Sequence, residues 1–328
     1  MVLFTSRIAK AIFLIFLAYH LTFTVFLVLR VDGIDVDNYQ ALFEEPFAAG
    51  WDFGFSMIIF ILSKVTNFPF FLLTIFLIQM IFYFCFCKKF DLSFPLFFAV
   101  YLLHLVVVRD FAQFRVGLAI AVFVTAFYSS KKLSIAAVLS AGLIHITSLY
   151  LLPILIFHKL NLEGFKRILL IFGICLVPFV LSNSLDFLSN YNERIYLYLN
   201  WTADGYGVKV SGYSILIFIC LLVISFFFRS RLGILHQHPM LPAYGLSFVY
   251  AGLTYISFSD LSIFASRLAN VALSLYPFYV ASLLDSYSRC RHLTNRVLVA
   301  TFGLSILVAL VLRSGSPYII DAIQPYML

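Results

Sequence analysis

The chain has 328 residues, of which 63% are hydrophobic and only 11% charged, and its mean hydropathy is +1.02. A soluble domain carries about 25% charged residues, so a soluble fold is excluded and a polytopic membrane protein is expected. In such a protein the formal net charge of +7 reports topology through the positive-inside rule and does not point to nucleic acid.

Arg7 and Lys10 precede an apolar run from Ala11 to Leu29. The run is too long for a signal-peptide core and no small-residue cleavage site follows, so it reads as a first transmembrane helix with its N-terminus inside. An acidic segment follows, with Asp32, Asp35, Asp37, Glu44, Glu45 and Asp52. The charge rule places this region, residues 31–66, outside. It ends in an apolar stretch, Phe53 to Val65, that is too short to span and is expected to be interfacial or re-entrant. Phe70 to Cys87 spans and ends inside at Lys88 and Lys89; Leu92 to Val108 returns and leaves Arg109 at the external end. Val116 to Tyr128 runs back to Lys131 and Lys132. That helix is short unless Phe111 to Arg115 form its first turns, in which case Arg115 points inward from the outer leaflet.

Leu133 to Phe157 is the next apolar run, and here parity constrains the chain. The run starts inside, yet the basic 158–167 loop that follows also looks internal. Either the run is a bent or re-entrant pair with His145 near its tip, or the loop is external and a later span is miscounted. Ile168 to Leu181 leads to residues 182–211, a long external loop rich in Asn and Tyr. Ser211–Phe228, Met240–Phe258, Ala265–Leu284 and Val297–Leu312 complete the apolar runs, and the 229–239 and 286–296 loops are basic and internal. The expected fold is all-α: one integral membrane domain over residues 1–328, a helical bundle of about ten spans with one or two short re-entrant or interfacial helices. Cys85, Cys87, Cys175, Cys220 and Cys290 form no CxxC pair, so neither a disulfide framework nor a zinc site is indicated.

Arg109 and Arg115 lie between two uncharged apolar runs. A charge deep in a bilayer costs roughly 2.5–3.5 kcal/mol on insertion scales, and arginine does not escape by losing its proton. These residues therefore sit in a boundary loop or line a wet cavity with an anion nearby. The second reading gains from position: Arg109, Arg115, Arg267, His145 and the carboxylates Asp35, Asp37 and Asp52 all map to the external leaflet. The guanidinium fork suits phosphate oxygens. Arg267, near the start of an apolar helix, could equally snorkel to the interface. His145 is either a packing residue or a general base, and the carboxylates could do the same work or hold a sugar hydroxyl. No Walker loop, GxGxxG, HExxH or GxSxG occurs, so nucleotide hydrolysis and serine-esterase chemistry have no support.

At these residues the sequence resembles the EpsG-like, Wzy-type bacterial polysaccharide polymerases. Asp35-Val-Asp-Asn-Tyr39 and Trp51-Asp-Phe-Gly-Phe55 are similar to the family's acidic-Gly-aromatic entry to a short helix. Phe114-Arg-Val-Gly-Leu-Ala119 is similar to its Arg-Gln-x-x-Ala helix start, with Val116 in place of Gln. His145-Ile-Thr-Ser148 is similar to a His-x-Ser element, and Arg267-Leu268 also fits.

The resemblance implies a GT-C-like membrane glycosyltransferase in the bacterial inner membrane, with its active site on the external side. It would polymerise undecaprenyl-diphosphate-linked repeat units into a surface polysaccharide. His145, Asp37 and Arg115 would be catalytic; Arg109, Arg115, Arg267, Asp35, Asp52 and Tyr39 would bind substrate. No metal or cofactor is expected, because the arginines can supply the positive charge. Its partners would be the lipid-linked glycans and the bilayer, with a chain-length regulator and a flippase, and no nucleic acid. Two alternatives stay open. One is a transporter or flippase of lipid-linked sugars, which would favour discontinuous helices in two matching halves; no internal repeat is seen. The other is a membrane O-acyltransferase modifying surface glycan, with His145 as base.

Overall fold

The computed structural model describes residues 36–47, 52–105, 114–184, 219–224, 226, 238–258 and 262–289. Every regular element among them is helical, as the sequence leads one to expect. Asp35, Arg109, Cys290 and most of the 182–211 loop lie outside the described residues.

The acidic segment opens with helix α1, Val36–Glu44. Next, α2 covers Phe53–Ser63. Its 11 residues rise about 16 Å at 1.5 Å each, well short of a ~30 Å hydrocarbon core, so the expectation of a short, non-spanning helix holds. Helix α3, Phe68–Lys89, is long and apolar enough to cross a membrane. It begins where Asn67 accepts a hydrogen bond from the Phe70 N–H at 3.2 Å and Pro69 occupies the first turn, both ordinary helix-start devices.

Helices α4 (Phe94–Leu105) and α5 (Phe114–Val124) follow, the latter extended by a 3₁₀ turn, Thr125–Phe127. A tight turn leads into α6, Lys131–Ile144. The Ser134 hydroxyl closes that turn by reaching the carbonyls of Ala126 and Ser129 at 2.8 and 3.1 Å. Helices α5 and α6 pack as an antiparallel hairpin. Small residues are buried on both helices, Gly117, Ala119 and Ala121 on α5 and Ala141 on α6, and small residues let membrane helices approach closely. The large residues of α6 point the other way. Ile135, Leu139 and Leu143 form an outward stripe at i, i+4, and Leu139 is 62% exposed. A soluble helix would turn that stripe inward.

At His145 the helix stops. The residue is extended (φ −162°, ψ 120°), and the chain continues as a 3₁₀ segment, Ile146–Leu151, then α7, Leu152–Leu160. The far end of α7 comes back to where α6 began. Lys159 Nζ donates to the Ser129 carbonyl at 2.8 Å, and the His158 ring lies 5.5 Å from that of Phe127. So the Leu133–Phe157 run is a there-and-back pair with His145 at its tip. This explains the parity conflict: the basic residues on both sides of the run belong to one end of the molecule.

The other elements confirm two distinct ends. Tyr128 lies 6.2 and 6.5 Å from the rings of Phe86 and Phe90, which brings Lys88 and Lys89 to the end that holds Lys131, Lys132 and Lys159. The start of α2 packs against the end of α6 at the opposite end.

Helix α8, Gly164–Asn183, is the second helix with the length and hydropathy of a crossing among the described residues, and only 11% of its apolar window is buried. Helix α9, Leu241–Ser257, packs against α7, α8 and α10, Ser262–Ala272. The expected single run Ala265–Leu284 is divided. A 3₁₀ turn, Leu273–Leu275, separates α10 from α11, Tyr276–Arg289. Pro277 supplies the reason, having no N–H for an α-helical bond and clashing with the carbonyl four residues back. Helix α11 returns to α4 through Phe278, whose ring lies 4.4 Å from Phe97 and 5.7 Å from Tyr83.

Candidate functional site

Three segments far apart in sequence meet at the end opposite the lysines. Asp52 stands at the N-cap of α2, Arg115 in the first turn of α5 as described, and His145 at the break after α6. Asp52 Oδ2 accepts from Arg115 Nη1 at 2.8 Å and bonds His145 Nδ1, also at 2.8 Å. One carboxylate oxygen thus joins a cation and an imidazole that lie 63 and 93 residues from it in sequence. The three side chains are 15–17% exposed: shielded enough for strong electrostatics, and still reachable from outside the protein.

The local sequence explains the convergence. An Asp at an N-cap ordinarily turns its carboxylate onto the N–H groups of its own helix. Here the Asp52 backbone carbonyl accepts from Ser56 N–H at 3.0 Å, but the carboxylate makes no capping bond. It is diverted to Arg115 and His145. Gly54 permits this. A Cβ there would lie 2.7 Å from both the carbonyl carbon and oxygen of Leu143, so only glycine lets the start of α2 press onto the last turn of α6, one residue short of His145. Beneath the cluster, the Tyr39 ring meets Phe55 and Phe114 at 6.0 and 5.5 Å, and Phe55 meets Phe71 at 6.3 Å. This aromatic layer ties α1, α2, α3 and α5 together directly behind Asp52 and Arg115. On the other side the Ser148 N–H donates to the His145 carbonyl at 3.0 Å and holds the turn.

The geometry dictates a tautomer. An ionised carboxylate only accepts hydrogen bonds, so His145 Nδ1 carries the proton that Asp52 receives. In the neutral ring Nε2 is then the lone-pair nitrogen, free to act as a base. The guanidinium has five N–H donors in a planar fork, and the Asp52 bond takes one of them from Nη1. The arrangement combines an oriented base with an anchored cation.

A family model described as the EpsG family matches residues 12–328. The chain belongs to the EpsG family. Neither the curated proteins nor the solved structures include a match to it. This is a family of Wzy-like polymerases, and membership makes the chain a membrane protein associated with polysaccharide biosynthesis. The outward apolar stripe of α6 and the largely unburied α8 agree with a membrane setting.

Of the site residues that the EpsG resemblance implied, the structure brings together Asp52, Arg115 and His145. Asp37 lies on α1, two residues before Tyr39. Tyr39 itself is 3% exposed, which leaves little of its ring for a substrate to touch; its ring contacts make it part of the layer behind the cluster. Arg267 is exposed on α10, a helix packed against the 3₁₀ segment that follows His145. Asp35 and Arg109 lie outside the described residues. Gly54 enters the sequence reading only as part of the Trp51–Phe55 motif, and its packing role is what the structure adds. Its signal is a glycine inside the first turn of an otherwise strongly apolar helix, where glycine costs roughly 0.5–1 kcal/mol against alanine.

Proposed function

We propose that this EpsG-family chain is a polymerase that joins undecaprenyl-diphosphate-linked repeat units at the external face of the bacterial plasma membrane. The observation that supports this best is the shared Asp52 oxygen, which sets a proton acceptor beside a phosphate-binding cation. In the reaction, a hydroxyl of the acceptor sugar attacks the anomeric carbon of the donor glycan. A new C–O bond forms, the bond from that carbon to the diphosphate oxygen breaks, and undecaprenyl diphosphate leaves with the bonding pair. His145 Nε2 takes the hydroxyl proton. Arg115 stabilises the charge that grows on the leaving diphosphate, with Arg109 and Arg267 as further donors. Asp52 holds both groups in place, Asp35 and Asp37 belong to the acceptor side, and Tyr39 supports the cluster from behind.

The separation of charges supports the external location. Lys88, Lys89, Lys131, Lys132 and Lys159 gather at the end away from Asp52, and an excess of lysine and arginine marks the cytoplasmic side. The about ten spans and the GT-C-like architecture are part of this proposal.

The test is reconstitution. Purified protein in liposomes is given a single lipid-linked repeat unit on the side of the Asp52 cluster. Products carrying two or more units on one carrier, with release of undecaprenyl diphosphate, are expected. Movement of unextended substrate across the bilayer would instead indicate a flippase, and transfer of an acyl group to unextended glycan an acyltransferase.

A further inference from the structure

At the lysine-rich end, away from the Asp52 cluster, lies a cavity of about 300 Å³. Its walls come from α7 (Phe157), α8 (Arg167, Ile171), Val223, Phe226 and α9 (Leu246, Val249). The size is at the lower end of small-molecule sites, which run roughly 300–1,000 Å³. Arg167 is the charged residue of an otherwise apolar lining. It is exposed, and its guanidinium carbon lies 5.4 Å from the Phe157 ring centroid. A cation–π contact of this kind holds the guanidinium against the ring while leaving N–H donors for an anion. Gly245 helps shape the wall: a Cβ there would lie 2.2 Å from Cζ of Phe226, so glycine lets the tip of that ring press against α9.

We propose that this cavity binds an anionic glycerophospholipid of the membrane, with an acyl chain among the apolar side chains and the phosphate on the Arg167 guanidinium. Two further features argue for a lipid as occupant. Helix α8, which carries Arg167, is apolar and mostly unburied, with Phe165, Ile168, Leu169 and Phe172 exposed, so a bilayer lipid reaches this wall sideways. Lys159 and Lys166 stand near Arg167 in sequence on the same basic end, and basic pockets between membrane helices on the cytoplasmic side favour anionic headgroups. The site lies at the opposite end from the proposed chemistry and does not depend on which reaction occurs there.

The test uses the full-length protein, purified in detergent and stripped of lipid. Its thermal unfolding midpoint is measured alone and with phosphatidylglycerol, phosphatidylcholine or inorganic phosphate. A ligand that binds only the folded state raises the midpoint with concentration. Phosphatidylglycerol is expected to raise it more than phosphatidylcholine does, and phosphate is expected to leave it unchanged. Because Arg167 is exposed, Arg167→Gln keeps the fold; it should erase the preference for phosphatidylglycerol while a smaller, headgroup-independent rise persists. Val249→Trp fills the cavity and should remove both rises. The proposal is overturned if Arg167→Gln retains the preference, if Val249→Trp responds like wild type, or if phosphate alone reproduces the shift, which would mark a free-anion site.

Discussion

Asp52 couples two groups that would otherwise act separately, so its replacement should damage both. Asp52→Asn keeps the shape but removes the charge that balances Arg115 and fixes the His145 tautomer. In the serine-protease triad the corresponding Asp→Asn change costs about 10⁴ in rate; a loss of roughly 10²–10⁴ in polymer formed per protein molecule is expected here. Arg115→Lys keeps the charge and loses the planar fork. If one donor to the leaving group is worth about 2.7–4 kcal/mol, this change should reduce chain extension by a hundredfold or more while the protein still accumulates in the membrane. Normal chain lengths from Arg115→Lys would remove diphosphate binding from its role. At this scale the sequence discloses much. Arg115 and His145 stand out because ionisable residues are costly among apolar neighbours. Asp52 stands out less, as one of six acidic residues between positions 32 and 52. Nothing local says which of the six turns away from its own helix.

At the scale of elements, the site depends on the close approach of α2 to α6. Gly54→Ala sets a methyl group against the Leu143 backbone, which cannot yield as a side-chain end can. Overpacking of this sort costs roughly 1–3 kcal/mol, and the shift should pull Asp52 away from His145. Gly54→Ala should therefore lower both the unfolding midpoint and the polymerisation rate per folded molecule. A lowered midpoint with an unchanged rate would mean the contact serves stability alone. Tyr150→Phe is the complementary case. It removes the 2.8 Å hydrogen bond between Tyr150 and Thr254, worth about 1 kcal/mol, on the far side of the 3₁₀ segment. The expected outcome is a modestly lower midpoint with the rate retained. Helix positions follow hydropathy closely, as α3 and α9 illustrate. The break at His145 is legible only through the parity of the flanking charges. The division of α10 from α11 escapes hydropathy, because Leu273 to Leu275 are as apolar as the helices they separate; Pro277 is the local sign of it.

For the whole molecule, the arrangement predicts two chemically distinct ends. With the native cysteines replaced, a thiol introduced at exposed Glu44 should react with a membrane-impermeant reagent from outside intact cells, and one at Lys131 only after the membrane is opened. Labelling of both from the same side would invert or abolish the assignment of the Asp52 cluster to the external face. This end-to-end polarity is readable from charge alone, since Lys88, Lys89, Lys131 and Lys132 follow apolar runs of helical length or stand next to them. What charge alone does not give is which helices touch. That depends on contacts between segments far apart in the chain, such as the aromatic layer of Tyr39, Phe55, Phe71 and Phe114.

The central claim is that the Asp52–Arg115–His145 cluster carries out glycan transfer, and His145→Gln tests it most directly. Glutamine keeps a hydrogen-bond donor for Asp52 and cannot take a proton from a sugar hydroxyl at neutral pH. The measurement is the length of glycan on lipid carriers, normalised to the amount of protein in the membrane. General-base catalysis contributes roughly 10²–10⁴-fold, so His145→Gln should leave single repeat units on the carrier at wild-type protein abundance. Wild-type chain lengths per molecule of His145→Gln would contradict the account and move the proton acceptor away from this cluster.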